Sequence, residues 1–269
     1  MSRYTCAPWM ARNTSIAVIA VGLAGCSSQS PAPTTDAPAA DVRCADANYS
    51  VYDPAEPVNR GIFAFNRVVD DYALAPVARG YRHLPDFFQT GVHNFVNNFG
   101  EPKVFINDLL QGNARRSANT LGRFVINTTV GVVGLIDVSG KLGIARHQAD
   151  FGQTFGVWGI GNGPIVELPL LGTSNSRDAA GRVLSFVVDP FGDNSDTVDT
   201  LSTVNTVGDI VDGRAEALPL TDSLQKLPDY YSALRNVVAE HRAGFVLDGK
   251  QGSPEASKAQ CTGASSDGF

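Results

Sequence analysis

A short apolar run with a charge at each end limits how this chain can meet a membrane. Residues 123–137 read RFVINTTVGVVGLID, and every residue between Arg123 and Asp137 is uncharged. A helix that spans a bilayer needs about 20 apolar residues, whereas runs of roughly 10–14 belong to buried core helices or to re-entrant and interfacial segments. Gly131 and Gly134 interrupt the run, and polar residues 127–129 lie inside it. The pattern fits a core helix that ends at a glycine as well as it fits a segment that contacts lipid without crossing the bilayer.

The first residues have the layout of a secretory signal. Arg3 and Arg12 precede a short apolar core at residues 15–23, and small residues follow. The signal ends in Leu-Ala-Gly-Cys26, which resembles the lipobox of bacterial lipoproteins, in which the cysteine receives acyl chains and becomes the first mature residue. A plain signal peptide with a chance cysteine is the alternative. We expect residues 1–25 to be removed and Cys26 to carry the lipid anchor. Ser27, in place of an inner-membrane-retaining aspartate, favours the outer membrane, on its periplasmic face.

The four cysteines predict one disulfide, and the net charge limits the partners that the protein can bind by electrostatic attraction. Cys6 leaves with the signal and Cys26 takes lipid, so Cys44 and Cys261 remain as an even pair in an oxidising compartment, for which a disulfide is predicted. Removal of the signal leaves 19 basic and 27 acidic side chains, and the net charge passes from −6 to −8. So acidic a protein has no electrostatic footprint for nucleic acid, and anionic lipid would not attract it by charge.

Composition divides the chain into four parts. After the signal, residues 26–50 are rich in Ser, Pro, Ala and Thr and are predicted to form a lipidated flexible tether. Residues 51–247 have the size and apolar content of one folded domain, and residues 248–269 are predicted to be a disordered tail.

Apolar residues in the folded part recur at helical spacing, as at Val58, Ile62 and Phe65. Helices are also predicted after Pro102 and over residues 113–128, 176–188, 199–212 and 222–245, with Asn175 or Ser174 as a cap. Only residues 163–169 look extended. The predicted fold is therefore all-α, a single domain of many short helices in which the apolar run forms a re-entrant or interfacial hairpin.

Patterns that carry catalytic or metal chemistry are not visible in the sequence. The four histidines, at positions 83, 93, 147 and 241, have no metal-ligand spacing, and neither a Gly-x-Ser-x-Gly elbow nor a P-loop lysine occurs. The glycines of residues 156–163 do not match the G-x-G-x-x-G spacing of dinucleotide sites. We therefore predict no enzyme, no cofactor and no metal site.

Many ordered motifs between residues 53 and 242 resemble those of the MlaA/VacJ family of outer-membrane lipoproteins. They are Asp53-Pro54, Glu56-Pro57, Asn59-Arg60, Phe65-Asn66, Glu101-Pro102, residues 107–112, Arg123-Phe124, Asn127-Thr128, residues 131–138, 151–164 and 168–172, Arg177-Asp178, Asp189-Pro190 and residues 229–235. Val58 and Ile165 stand where the family often has Phe and Tyr.

The resemblance implies a ring of helices in the periplasmic leaflet of the outer membrane, around an amphipathic channel and in association with a porin trimer. Through such a channel, misplaced phospholipids pass passively from the outer leaflet to a soluble periplasmic lipid carrier, which maintains lipid asymmetry. A scaffold that tethers envelope complexes without moving lipid is the alternative, and a lipid hydrolase with an unrecognised nucleophile is a weaker one.

Three groups of residues are the candidates for this function, each with a structural alternative. Residues of the apolar run are expected to contact lipid or line the channel, against a plain core: Phe124, Val125, Asn127, Thr128, Val130, Gly131, Val132, Val133, Gly134, Leu135, Ile136 and Asp137. Asn59, Arg60, Phe63 and Asn66 are expected to form a clamp near the channel, although buried asparagines more often satisfy backbone groups. Trp158 is a candidate interface anchor, against a packed turn at residues 156–163.

Overall fold

The computed structural model of the chain describes residues 51–188 and 196–252, and these are mostly helical, which confirms the predicted fold class. The signal segment, Cys26, Cys44, Cys261 and the predicted tail beyond residue 252 lie outside these ranges. The elements in chain order are α1 (Glu56–Val69), a π-helical segment (Asp70–Leu74), α2 (Ala75–Tyr81), α3 (Asp86–Leu110), α4 (Ala114–Thr129), α5 (Val138–Lys141), α6 (Phe151–Val157), β1 (Ile165–Leu168), β2 (Gly172–Asn175), α7 (Ser176–Val187), α8 (Asp196–Leu224) and α9 (Tyr230–Gln251).

Side chains of Asn and Asp start several of these helices. Asn113 accepts a hydrogen bond from the backbone N–H of Arg116 at the start of α4, and Asp150 accepts one from Gln153 at the start of α6. Asn175, one of the two caps expected for α7, accepts from Asp178 N. Each cap satisfies a backbone donor that the first turn of a helix leaves without a partner.

Two proline positions do not break helices where the sequence suggested it. The helix predicted to begin after Pro102 is the second half of α3, which runs through that proline and packs along α4. Helix α8 likewise runs through Pro219. It contains the whole helix predicted at residues 199–212 and the first residues, up to Leu224, of the helix predicted to begin at residue 222. Proline removes one helical hydrogen bond, and packing along the rest of the helix outweighs that local cost.

Helix α9 continues past residue 247, where the folded domain was expected to end. Asp248 pairs with the buried Arg116 of α4 at 2.7 Å, and the helix ends only at Gly252, which has a left-handed φ of 65°. The Asn113 amide donates to the carbonyl of Gly252 at 3.0 Å. Residues 248–252, which were predicted to begin the tail, form the last turn of α9 and its cap, held by this ion pair and this hydrogen bond.

The extended stretch predicted at residues 163–169 contains β1, which pairs with β2 in an antiparallel hairpin with Glu167 opposite Thr173. Strand β2 has the sequence Gly-Thr-Ser-Asn. It was not predicted because it lacks the alternation of apolar and polar residues that indicates a strand.

The described part of the chain has a polar interior and an apolar surface. Its apolar core cluster is small and consists of Ala75, Ala78, Ala215 and Leu218, with Tyr81 packed against it. Fully buried side chains include Asn107, Asp108, Arg116 and Gln153. Large apolar side chains are instead exposed on several helices: Phe65 and Val68 on α1, Phe87 and Phe88 on α3, Val183 and Phe186 on α7, and Val204 and Val207 on α8. Among residues 51–188 and 196–252, no helix combines the length and apolarity needed to cross a bilayer.

Candidate functional site

The apolar run of the sequence folds as a helix end, a tight loop and the start of a second helix. Phe124 to Thr129 complete α4, residues 130–136 form the loop, and Asp137 caps α5 by accepting a hydrogen bond from Gly140 N. We call residues 130–136 the apolar loop.

The side chains of the apolar loop face outward. Val130 is 66% exposed, and the other four apolar side chains, those of Val132, Val133, Leu135 and Ile136, are also exposed. Val125, one turn before the loop, is exposed as well. A plain core segment, which was the structural alternative, would bury these residues. The loop is instead an apolar surface, of the kind that marks contact with a partner or a lipid.

The backbone of the apolar loop is tightly folded. Val132, Val133 and Gly134 have φ angles of 54°, 56° and 90°, in the left-handed region that β-branched residues rarely adopt. Backbone hydrogen bonds from Gly134 N to Asn127 O and from Ile136 N to Gly131 O, both 2.9 Å, close the loop on itself and on α4. The loop therefore presents its valines on a fixed frame.

Buried polar groups of α4 support the loop from beneath. Arg123 and Asn127 are both nearly inaccessible and converge on Asp137 Oδ1, each at 3.0 Å. Asn127 Oδ1 also accepts from the backbone N–H of Ser139 at 2.9 Å. Burial alone would raise the pKa of Asp137, but the hydrogen bonds from Gly140 and Asn127 and the charge of Arg123 together hold that pKa below its usual value. Asp137 therefore stays ionised and ties both ends of the loop to α4.

A second carboxylate extends this network toward α3. Glu101 lies between Arg123 and Arg146, with Oε1 at 3.4 Å and 3.3 Å from their Nε atoms. Burial raises the pKa of Glu101, against the opposing effect of the two arginines. Arg146 was not singled out in the sequence, and Glu101 appeared there only as part of the Glu101-Pro102 motif of the family resemblance. The network links α3, α4 and the segment after α5 under one apolar surface.

The polar candidates of the run divide between these two environments. Asn127 and Asp137 belong to the buried network, and Thr128 accepts a hydrogen bond from the Asn98 amide of α3 at 3.0 Å. Thr128 is half-buried, so its hydroxyl lies between the network and the surface. The end of α4 and the apolar loop therefore have a buried polar side, which faces the network, and an exposed apolar side.

Asn59 and Asn66 clamp the β-hairpin onto α1. The Asn59 amide donates to Ile165 O at 3.1 Å, and its oxygen accepts from Glu167 N at 3.0 Å. Asn66 donates to Leu168 O at 2.9 Å and accepts from Leu170 N at 2.7 Å. Both asparagines therefore satisfy backbone groups of the hairpin and its turn.

Arg60 and Phe63 join α1 to α9 instead. Arg60 pairs with Asp229 at 2.6 Å and its guanidinium lies 4.6 Å above the Tyr231 ring. The Phe63 ring packs edge-on against Tyr230 and Tyr231 at 5.2 Å and 5.3 Å. The four residues of the expected clamp therefore serve two different joints, one with the hairpin and one with the last helix.

Trp158 lies at the end of α6 with its side chain half exposed. Its indole N–H donates to Leu110 O at 3.0 Å, which fixes the ring next to the end of α3. Helix α6 ends at Val157, and the chain then passes through Gly159 and Gly163, which have left-handed φ angles of 91° and 66°. The apolar loop and Trp158 are both exposed apolar features beside buried polar joints.

These features define a class of protein: a mostly helical chain with exposed apolar side chains held on a buried polar frame and no membrane-spanning helix among its described residues. The family model described as MlaA lipoprotein matches residues 51–244, so the chain belongs to the MlaA lipoprotein family. The resemblance inferred from the sequence motifs is thereby confirmed.

Relatives and a solved structure agree with this assignment. An uncharacterised protein of Rickettsia bellii is 44% identical over 129 residues, which are 48% of this chain and 51% of the relative, so the chain spans about half the length of such relatives. The intermembrane phospholipid transport system lipoprotein MlaA of Escherichia coli (strain K12) is 32% identical over 215 residues, 76% of this chain and 81% of that protein. A solved structure described as "Structural basis for maintenance of bacterial outer membrane lipid asymmetry" superposes with a TM-score of 0.62 at 32% identity, covering 72% of this chain and 98% of that one.

Proposed function

We propose that this protein is an outer-membrane lipoprotein that gives mislocalised phospholipids a passive path from the outer leaflet to a soluble periplasmic carrier, and so maintains lipid asymmetry. The observation that carries the proposal is the apolar loop, whose exposed valines stand on a buried network of Arg123, Asn127 and Asp137. The family assignment, the name of the Escherichia coli relative and the subject of the solved structure support the same function.

The physical demands of lipid transfer explain why both faces are needed. Each CH₂ taken from hydrocarbon into water costs about 0.8 kcal/mol, so bare extraction of two acyl chains is forbidding. A headgroup is costly to move through hydrocarbon for the opposite reason. In this proposal Phe124, Val125 and the apolar loop contact the acyl chains, and Thr128 and Asp137, which are partly exposed, face the headgroup side. The helices are arranged as a ring around the resulting amphipathic channel.

In this proposal the lipid anchor at Cys26 and the exposed side chain of Trp158 position the protein at the membrane. Acyl chains on Cys26 hold the protein to the periplasmic face of the outer membrane, and a single chain alone would bind only marginally. Trp158 lies at the interface, where amphipathic rings are favoured. The sequence-based disulfide between Cys44 and Cys261 joins the two ends of the mature chain. A porin trimer and the soluble carrier complete the path, and energy and direction come from outside this chain, because its sequence has no ATP-binding motif.

Site-specific photo-crosslinking in cells tests the lipid path. A photoreactive residue at Val133 or Leu135 is expected to capture radiolabelled phospholipid, whereas one at Lys226, which is exposed on the segment before α9, is not. Equal capture at all three positions, or at none, would contradict the lipid contact.

The scaffold alternative makes a different prediction for the same surface. Val132→Asp places a charge on the exposed loop without disturbing a buried contact. A path for lipid predicts that outer-leaflet phospholipid rises in this variant while porin still co-purifies with it. Normal lipid distribution in Val132→Asp, together with a defect on deletion of the chain, would favour scaffolding.

A further inference from the structure

A cavity of about 460 Å³ is lined mainly by residues of α3 and α8, with Tyr81 of α2. Three of its lining residues, His93, Asp212 and Glu216, bring one ligand atom each to within 4.8 Å of one another. We propose that these three side chains bind one divalent transition-metal ion, with zinc as the best fit. This inference does not depend on the lipid path, because none of the three side chains belongs to the apolar loop or to the polar network beneath it.

Helical spacing puts the three side chains together. Asp212 and Glu216 are four residues apart on α8 and lie on one face, which is turned toward His93 of α3. Gly208, one turn before Asp212, lets the two helices approach, because a Cβ there would lie 3.0 Å from Val96 Cγ2. The sequence shows no metal-ligand spacing for this site because His93 and Asp212 are 119 positions apart.

Two of the three distances between ligand atoms are close to those around a tetrahedral ion, and the third, between Asp212 and Glu216, lies within 4.8 Å. Zinc bonds of about 2.0–2.1 Å place neighbouring ligand atoms about 3.3 Å apart. His93 Nδ1 is 3.3 Å from Glu216 Oε1, which is already this spacing, and 2.8 Å from Asp212 Oδ2, which has to open by roughly half an ångström. His93 and Glu216 are partly exposed, so small rotations of their side chains achieve this. Water from the cavity takes the fourth position.

Neighbouring groups hold the ligands in the required orientation. Tyr81 donates its hydroxyl hydrogen to Asp212 Oδ1 at 2.9 Å, which leaves Oδ2 for the metal. Asn97 lies one turn beyond His93, with its amide 2.8 Å from His93 Nε2. When Nδ1 binds a metal, Nε2 carries the proton, and the Asn97 amide turned by 180° offers its oxygen to that proton. The site therefore has its outer hydrogen bonds in place.

The ligand set selects the kind of metal. Calcium and magnesium prefer shells made of oxygen, whereas an imidazole together with carboxylates suits zinc and its neighbours. The competing explanation is a plain ion pair, in which a protonated His93 bridges the two carboxylates with no metal. The two explanations differ in whether zinc binds, and they agree on the geometry.

Zinc titration of the purified full-length mature chain in detergent, after treatment with a chelator, distinguishes them. The proposal predicts one zinc ion per chain, measured against a competing chromogenic chelator, and a Tm that rises with zinc sulfate and not with magnesium sulfate. His93→Gln and Glu216→Gln are each expected to weaken zinc binding at least tenfold. Glu216 is largely exposed, so its variant keeps the fold, as the Tm without zinc will show.

His83→Gln is the matched control, because His83 is an exposed histidine outside the cluster. It is expected to bind zinc like the unchanged protein. Zinc that binds equally to His93→Gln, Glu216→Gln and His83→Gln would come from another part of the chain and would overturn the proposal. The absence of stoichiometric binding to the unchanged protein at micromolar zinc would leave the plain ion pair as the explanation.

Discussion

Gly134 of the apolar loop lies directly against Asn98 of α3. A Cβ at Gly134 would be 2.5 Å from the Asn98 Cβ, and the glycine has a φ of 90°. The same Asn98 donates its amide hydrogen to Thr128 at 3.0 Å. One asparagine therefore receives the loop backbone on one side and holds the end of α4 on the other.

Gly134→Ala tests this contact. We expect the free energy of unfolding to fall by about 2–4 kcal/mol, because the new methyl both overlaps Asn98 and disfavours the left-handed backbone. Gly143→Ala is the control: Gly143 has a φ of 82° but open space around its Cβ position, so only the backbone cost of about 1–2 kcal/mol applies. Urea unfolding measures both variants. Equal losses would show that the contact with Asn98 contributes nothing.

Asp137→Asn tests the buried frame beneath the loop. The substitution keeps the shape of the side chain but removes the charge that faces Arg123. Breaking a buried pair costs about 3–5 kcal/mol; here we expect about 1–2 kcal/mol at pH 7, because Asp137 is 36% exposed and Glu101 still faces Arg123. Asp71→Asn, which removes an exposed pair with Arg67, should cost about 0.5 kcal/mol or less.

The same variant has a predicted pH dependence. The pKa of Asp137 is lowered from its ordinary value of 3.8, so the unfolded chain binds its proton more tightly than the folded protein does. Its stabilising effect is complete above that ordinary value and is lost as the pH falls through the lowered pKa. The difference in unfolding free energy between the unchanged protein and Asp137→Asn should therefore shrink below pH 3.8. A difference that stays constant from pH 7 to pH 3 would contradict the assignment of charge to Asp137.

Local signals in the sequence predicted local structure well. The cap at Asn175 and the turn glycines at Gly159 and Gly163 depend on neighbours within a few residues, and such residue preferences are readable without a structure. Pro102 led to a wrong prediction of a helix start, because the sequence shows only the local cost of a proline inside a helix. Packing along the whole of α3 outweighs that cost, and the helix continues through Pro102. The last turn of α9 was missed because a partner 132 residues away, Arg116, stabilises it.

The site was harder to predict than the fold. The length of the apolar run excluded a span, yet periodicity could not tell an exposed loop from a core helix. That distinction depends on what lies beneath the loop, and Glu101 and Arg146 are joined to Arg123 only by the fold. Polar residues buried in networks have no sequence period of their own, so their partners appear only in three dimensions.

Substitution of the exposed Val133 in the apolar loop should affect membrane binding rather than stability. Val133→Asp is expected to weaken partition of a Cys26→Ala chain into phospholipid vesicles by about tenfold or more, because a full valine burial is worth about 1.5 kcal/mol and the charge adds a further cost. Val133→Ile keeps an apolar side chain at the same position and should retain binding. The free energy of unfolding should not fall in either variant, because Val133 is exposed and aspartate adopts its left-handed φ of 56° more readily than valine does. Unaltered partition of Val133→Asp in vesicle flotation would place the loop away from lipid.

Gly181 of α7 lies where that helix crosses the start of α6, and it tests the close packing of the polar interior. A Cβ at Gly181 would overlap the backbone nitrogen of Gly152 and lie 2.9 Å from its Cα. Backbone cannot move aside as a flexible side chain does, so Gly181→Ala should lower the free energy of unfolding by about 3 kcal/mol. Gly244→Ala in α9 is the control, since nothing lies near its Cβ position and alanine favours a helix by about 1 kcal/mol over glycine. Thermal unfolding should therefore move the Tm of the two variants in opposite directions, and a shift of both in the same direction would contradict the crossing described here.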